Sequence, residues 1–306
     1  MPAFFAVDTL RIAWSTVRWM WTHPLAAQDR RAALGRWARW QIGSRILPGA
    51  TILPFVEGTV LLVDRGMTGA TGNYYVGLHE FADMAFLLHY LREDDLFVDV
   101  GANVGSYTIL ASGVRRAKTL AVEPLPVTFA RLRANVRLND LDDRVRALNV
   151  GLASKAGVLR FTRSLDTVNH VVANGESSGG DTLDIPVVTL DELTAEHPPS
   201  LIKADVEGFE TEVFAGAGAT LARPELRALI VELNGSGARY GFDEGPLERR
   251  LESFGFRRYG YDPFTREVRA AETKSTVGNT LYLRDIADVQ KRLREAPSIR
   301  VFGVAL

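Results

Sequence analysis

The segment LFVDVGANVGSYT, residues 96–108, decides the fold. Leu96 to Val100 is a short apolar run with a single acid, Asp99, the composition of a parallel strand buried on both faces. Gly101-Ala102-Asn103-Val104-Gly105 follows, and residues 105–114 continue as a helix. The glycines permit a tight turn and close approach of a ligand to the backbone. The helix start adds free N–H groups and the positive end of a dipole, which suit a carboxylate or phosphate. One unit downstream, TLAVE (119–123) is a second strand, and Glu123 at its tip is placed to accept hydrogen bonds from ribose hydroxyls. Strand, glycine turn, helix and downstream acid together point to a nucleoside-containing cofactor at the carboxyl ends of the strands. Asp99, Gly101, Asn103, Gly105 and Glu123 are the expected contacts, with Val150 and Gly151 after the third strand.

Working outward, the chain alternates strand and helix. A helix opens at Pro124-Leu125-Pro126, where proline is tolerated in the first turn, and carries Phe129, Leu132 and Val136 at helical spacing. VRALNV (145–150), LIKADV (201–206) and ALIVEL (228–233) are further strands. This pattern implies a parallel sheet with helices on both faces. An insertion over 151–200 holds VLRF, a Gly/Ser/Asn-rich loop at 174–181 and DIPVVTLDELT, whose helix is capped by Thr189. FRRYGYDPFTREV (256–268) and NTLYLRD (279–285) are expected as two strands joined by a long loop. Before the glycine turn, TILPFVEGTVLLV (51–63) reads as a strand or hairpin pair. Gly66, Gly69, Gly72 and Gly77 mark a loop, and HEFADMAFLLHYLRED (79–94) is a helix.

Residues 1–47 differ from the rest. They hold all five tryptophans (Trp14, Trp19, Trp21, Trp37, Trp40) and seven arginines (Arg11, Arg18, Arg30, Arg31, Arg36, Arg39, Arg45) against only Asp8 and Asp29. Two helices broken near His23-Pro24 are expected. The apolar and basic residues do not separate onto two faces, so the arm is expected to pack on the main domain or on a second subunit. Lying on a membrane is the disfavoured alternative. Asp8, Arg11 and Arg18 interrupt the apolar run, so neither a signal peptide nor a spanning helix is expected. The domains expected are an arm over 1–50, the main domain over 51–285 and a tail over 286–306.

Composition narrows the classes. With 306 residues, 46% hydrophobic and 24% charged, a sizeable core can be buried. The net charge of -1 provides no global field toward nucleic acid. The absence of cysteine excludes disulfides, thiolate catalysis and Cys-zinc sites, and a cytoplasmic location is expected.

The choice of cofactor follows from what the loop lacks. The glycines are spaced G-x-x-x-G, not G-x-G-x-x-G, so Asn103-Val104 fill the region where a dinucleotide would seat its pyrophosphate. No Tyr-x-x-x-Lys and no G-x-x-x-x-G-K-[ST] is present. S-adenosylmethionine, an adenosine joined to an amino acid, fits better. An NAD-dependent oxidoreductase and a non-catalytic scaffold are the competing classes. The scaffold would be expected to lose the glycine loop or Glu123.

DVGANVGSYT (99–108), AVEP (121–124) and KADVEGFE (203–210) resemble the signatures of the FkbM-type methyltransferase family. NVGLAS (149–154), VVTLDEL (187–193) and VELN (231–234) support this, and the similarity covers about 60–285 in order. Ala204 stands where the family usually has Ile or Leu. The resemblance implies a class I methyltransferase fold, Rossmann-like with a mostly parallel seven-stranded sheet. It also implies S-adenosylmethionine and O-methylation, often of a sugar or natural-product hydroxyl.

An alkyl hydroxyl is a poor nucleophile, so a positioned base should help. Asp205 and Glu207, at the tip of the fourth strand, are the first candidates for a base or an acceptor-hydroxyl ligand, and His170 in the insertion is the third. Asp205 has a second reading, as a contact for the methionine amine of the cofactor. Glu207 has one as a helix cap, and Lys203 one as a strand-edge partner of a carboxylate. His79 is a lid or packing residue and His89 a packed one. Asp205, Glu232 and Asn234 are conceivable oxygen ligands for magnesium, but no metal is expected. Asp-Val-Glu-Gly after the fourth strand, in place of Asn/Asp-Pro-Pro-aromatic, disfavours N-methylation. The expected partner is a small hydroxylated molecule, with a homodimer possible and nucleic acid disfavoured.

Overall fold

The structure, a computed structural model, describes residues 2–47, 49–162, 170–172, 182–275 and 278–306, without the side chains of 2–10 and 12. The loop expected at 174–181 therefore lies outside the described residues.

The arm folds as α1 (Pro2–Thr22), α2 (Pro24–Gln28) and α3 (Arg30–Ile46). The break at His23-Pro24 is where the sequence puts it, with Pro24 at the first helical position. There are three helices rather than two, because Asp29 starts a new one: its side chain accepts from the Ala32 N–H at 3.0 Å. The hairpin β1 (Thr51–Pro54) and β2 (Val60–Val63) follows, then α4 (Thr68–Val76) and α5 (Phe81–Tyr90). Of the glycines expected to mark a loop at 66–77, Gly69 and Gly72 lie within α4, Gly66 precedes it and Gly77 ends it. Gly72 is there for close approach, since a Cβ would run into the His79 ring.

Next come β3 (Leu96–Val100), α6 (Ser106–Ile109) continued by a π-turn over Leu110–Val114, β4 (Lys118–Val122), α7 (Pro126–Leu138) and β5 (Val145–Leu148). The insertion builds its own small sheet from β6 (Gly151–Leu152), β7 (Gly157–Thr162) and β8 (Thr182–Val188), in the order β6-β8-β7. It ends in α8 (Leu190–Thr194), which Thr189 and Glu192 close with a reciprocal capping box. The chain continues through β9 (Leu201–Ala204), α9 (Glu210–Ala215), α10 (Gly218–Ala222), β10 (Ala228–Glu232), α11 (Glu244–Ser253), β11 (Arg257–Asp262), β12 (Glu267–Ala270) and β13 (Asn279–Leu283). It finishes with α12 (Ile286–Arg294) and the short hairpin β14 (Arg300–Val301) and β15 (Val304–Ala305).

The main sheet runs β12-β11-β13-β10-β9-β3-β4-β5. The five strands from β10 to β5 are parallel, and β13, β11 and β12 pair antiparallel beyond β10. The sheet has eight strands rather than the expected seven. FRRYGYDPFTREV is a hairpin and not one strand, because the Asp262 carboxylate accepts the Phe264 and Thr265 N–H groups and turns the chain.

Side chains alternate between the two faces. Phe97, Ala121, Leu201 and Ile230 join the core under α5, α7, α12 and the arm. Val98, Val122, Ile202 and Leu229 join the core under α9, α10 and α11. The arm shares the first core through Met20, Leu25 and Trp40. It is also pinned by polar contacts: His23 Nε2–H donates to the Leu78 carbonyl at 2.8 Å, and the Arg36 guanidinium donates twice to the Tyr75 carbonyl. The 286–306 segment packs on the same core through Val289, Leu293 and Val301.

Strand order reverses between β3 and β9. The chain leaves β3 toward β4 and β5, then returns to β9 on the other side. A crevice opens at the carboxyl ends of the strands at such a point.

Candidate active site

A cavity of about 590 Å³ lies at that crevice. Its floor is the glycine turn. Gly101 has φ 75° and Asn103 φ 50°, both in the left-handed region. A Cβ at Gly101 would overlap the carbonyl oxygen of Asp205, so the turn and the β9 tip touch only because position 101 is bare. Gly105, at φ 94°, serves packing instead. A Cβ there would come 2.7 Å from Leu132 Cδ1, so the bare position admits α7.

Glu123 is buried and organises the turn. One carboxylate oxygen accepts the Asn103 N–H and the other the Leu125 N–H, both at 3.0 Å. Burial pushes its carboxyl up to about 7, against the pull of those two donors. Each oxygen keeps a second lone pair for a ligand hydroxyl. Asp99 accepts from Thr108 Oγ1 at 2.7 Å, and burial raises its pKa despite Lys203 opposite it on β9.

The far wall is acidic. Asp205, Glu207 and Glu232 each offer a carboxylate oxygen within 4.8 Å of the others. Lys203 is buried in a central strand, not at an edge, and its ammonium donates to Asp205 Oδ2 at 2.8 Å. Burial works against an ionised Asp205, but Lys203 outweighs it and holds the carboxyl below its usual range. Glu232 takes the opposite course. Burial, the Asp205 charge and a hydrogen bond to Asp205 push it up to about 9, so the pair shares a proton at neutral pH. Glu207 is raised by burial and by Asp205.

Glu207 does not cap the following helix. It sits at φ 55°, and α9 starts after Phe209 with no side-chain cap, while Glu210 accepts the Val206 and Gly208 N–H groups and ties down the preceding turn. Asn234 does not join the carboxylates either: its Oδ1 accepts the Ser236 N–H in a local turn, and Glu207 stands in its place. His170 is buried rather than solvated. Its carbonyl accepts the Thr162 N–H and its own N–H donates to Thr162 Oγ1; it lines the cavity and bears electrostatically on Glu207. His89 is packed against Tyr261, whose hydroxyl lies 2.6 Å from Nδ1.

Of the expected cofactor residues, Asp99, Gly101, Asn103, Glu123 and Gly151 line the cavity. Gly105 does not, and Val150 packs into the second core. The structure adds a polar wall that the sequence pattern did not reveal. Asn279 Nδ2 donates to Glu80 Oε1 at 2.9 Å and Asp83 Oδ2 at 3.2 Å. The Tyr107 hydroxyl, almost fully buried, has no hydrogen-bond partner among the described residues, and Lys203 Nζ sits 4.9 Å from its ring centroid. Tyr107 stands two residues past Gly105 in the first turn of α6, a position that could have drawn attention. Nothing local marks Asn279, 199 positions from Glu80.

A methyltransferase FkbM domain model matches residues 99–261. Hexuronic acid methyltransferase AglP from Haloferax volcanii is 35% identical over 153 residues, covering 48% of this chain and 59% of that protein. Methyltransferase sdnD from Sordaria araneosa is 28% identical over 169 residues, covering 44% and 65%. The 31-O-demethyl-FK506 methyltransferase FkbM from Streptomyces tacrolimicus is 30% identical over 190 residues, covering 50% and 72%. The match thus spans less than two thirds of the length of the first two relatives.

Proposed function

The chain belongs to the FkbM methyltransferase family, and on that premise we propose that it methylates a hydroxyl of a small, sugar-like molecule using S-adenosylmethionine. The observation that carries the proposal is the cavity that joins the Gly101–Glu123 cradle to the Asp205–Glu207–Glu232 wall. The residues present fit this cofactor. Glu123 is buried yet retains acceptor capacity for ribose hydroxyls, and the Gly101 turn backbone and the buried Tyr107 line the same cavity. When bound, the cofactor supplies an electrophilic methyl group on a sulfonium.

The chain's own residues do the rest. Glu123 and the turn backbone hold the nucleoside. Buried Phe161, Val171 and Phe209 keep water from the reacting centre. Glu207 is our choice for the base. Asp205 is neutralised by Lys203 and Glu232 holds a proton, which leaves Glu207, its pKa raised toward neutral, to accept the proton of the acceptor hydroxyl. Lys203 balances part of the charge of the acidic wall, and independence from a divalent cation is part of this proposal. The acceptor class is suggested by two relatives, a hexuronic acid methyltransferase and an O-demethyl-FK506 methyltransferase. A cytoplasmic location belongs to the same proposal and rests on a chain with no cysteine.

Calorimetric titration with S-adenosylhomocysteine, with NADH as control, tests the cofactor. Methyl transfer to a panel of uronic acids and glycosides, with and without chelator, tests the reaction. Micromolar binding of the first ligand alone and chelator-insensitive turnover are expected. Binding of NADH instead would overturn the reading.

A further inference from the structure

The outward face of α1 carries a feature that methyl transfer does not use. Arg11, Trp14, Ser15, Arg18, Trp21 and Thr22 are all exposed and recur at the three- and four-residue spacing of one helix face, while Val17, Trp19 and Met20 turn to the core. Trp14 is 71% exposed and Trp21 53%. The Arg30 guanidinium lies 4.8 Å over the Trp21 ring and extends the patch. Between Arg11 and Thr22 this face holds no carboxylate. The basic and apolar residues of the arm fail to separate onto two faces because arginine and tryptophan share the outward one.

We propose that this face docks the protein onto an anionic lipid surface. Two tryptophans with flanking arginines match the headgroup zone, where indoles sit in the interface and guanidiniums meet phosphates. The charge distribution complements such a surface. Residues 1–47 hold seven arginines and two aspartates, a net +5 in a chain whose total is -1. Ile42, Ile46, Leu47 and Ile52 are exposed nearby in sequence, so the first 52 residues hold six of the ten exposed large apolar side chains among those described. That concentration argues for an apolar environment rather than nucleic acid. Pairing this face with a second copy would bring like charges together. Among the described residues no helix is long and apolar enough to cross a membrane, so the contact is peripheral.

The test is flotation of the full chain with vesicles of phosphatidylcholine alone or mixed with phosphatidylglycerol, at low and high salt. Binding to the mixed vesicles only, weakened by salt, is expected. Trp14→Ser/Trp21→Ser and, separately, Arg11→Glu/Arg18→Glu should each weaken partitioning at least about tenfold. S-adenosylhomocysteine affinity serves as the check that each variant is folded. Three results overturn the proposal: no flotation with either vesicle, flotation equal in wild type and both variants, or a dimer or RNA complex that forms in place of vesicle binding and is lost in the tryptophan variant.

Discussion

A Cβ on Gly101 would stand inside the van der Waals envelope of the Asp205 carbonyl oxygen. The glycine turn and the tip of β9 are therefore one unit, and changing either displaces the other.

Gly101→Ala should separate them. Strain at φ 75° costs about 1–3 kcal/mol, and the displaced turn should lower S-adenosylhomocysteine affinity about a hundredfold. Calorimetry and thermal melting measure the two effects. Wild-type affinity in this variant would show that the turn is not the cofactor site.

Glu207→Gln should lower kcat by about 10²–10⁴ while leaving S-adenosylhomocysteine affinity within about threefold. The amide keeps the size and backbone strain of the original but cannot take up a proton. A loss of affinity with kcat preserved would instead make Glu207 a binding residue.

The pH dependence of stability follows from Glu232, raised from 4.5 to about 9. Between those values the folded protein retains a proton that the unfolded chain releases. The stabilising contribution is therefore full below pH 4.5 and is lost as pH rises through 9. Denaturant titrations from pH 6 to 9 should show stability falling, with Glu123 contributing up to about pH 7, and Glu232→Gln should flatten the limb above that. The same slope in the variant would place the titrating group elsewhere.

Lys203→Met should leave the half-buried Asp205 beside Glu232 without a cation. Breaking a fully buried pair costs about 3–5 kcal/mol, and the partial exposure of Asp205 puts the expected loss at the lower end of that range. A loss below about 1 kcal/mol would mean that the carboxyls protonate and need no lysine.

Residues that act through near neighbours were legible. The Gly101 turn and Glu123 could be read because strand, turn, helix and next strand follow in sequence, and periodicity exposes each. Glycines 66–77 misled because the same residue serves a turn and a tight contact, and only the position of His79 shows which applies at Gly72. The extra strand was missed for a related reason: Asp262-Pro263 carries a turn signal, but pairing partners decide whether a run is one strand or two. Glu207 reads as a cap in sequence, but α9 has no side-chain cap, and Glu210 holds the preceding turn instead.

The sequence by itself determined the doubly wound fold and the family, since these depend on local pattern and on motifs in order. Only the tertiary structure decided the charge state of the acidic wall, the partners of Glu80 and Asp83, the burial of His170 and the outward face of α1. Those properties arise where strands and helices distant in the chain meet. Burial and neighbouring charge fix a carboxyl's proton, and packing fixes which side of a helix meets solvent, so neither is written in any one segment.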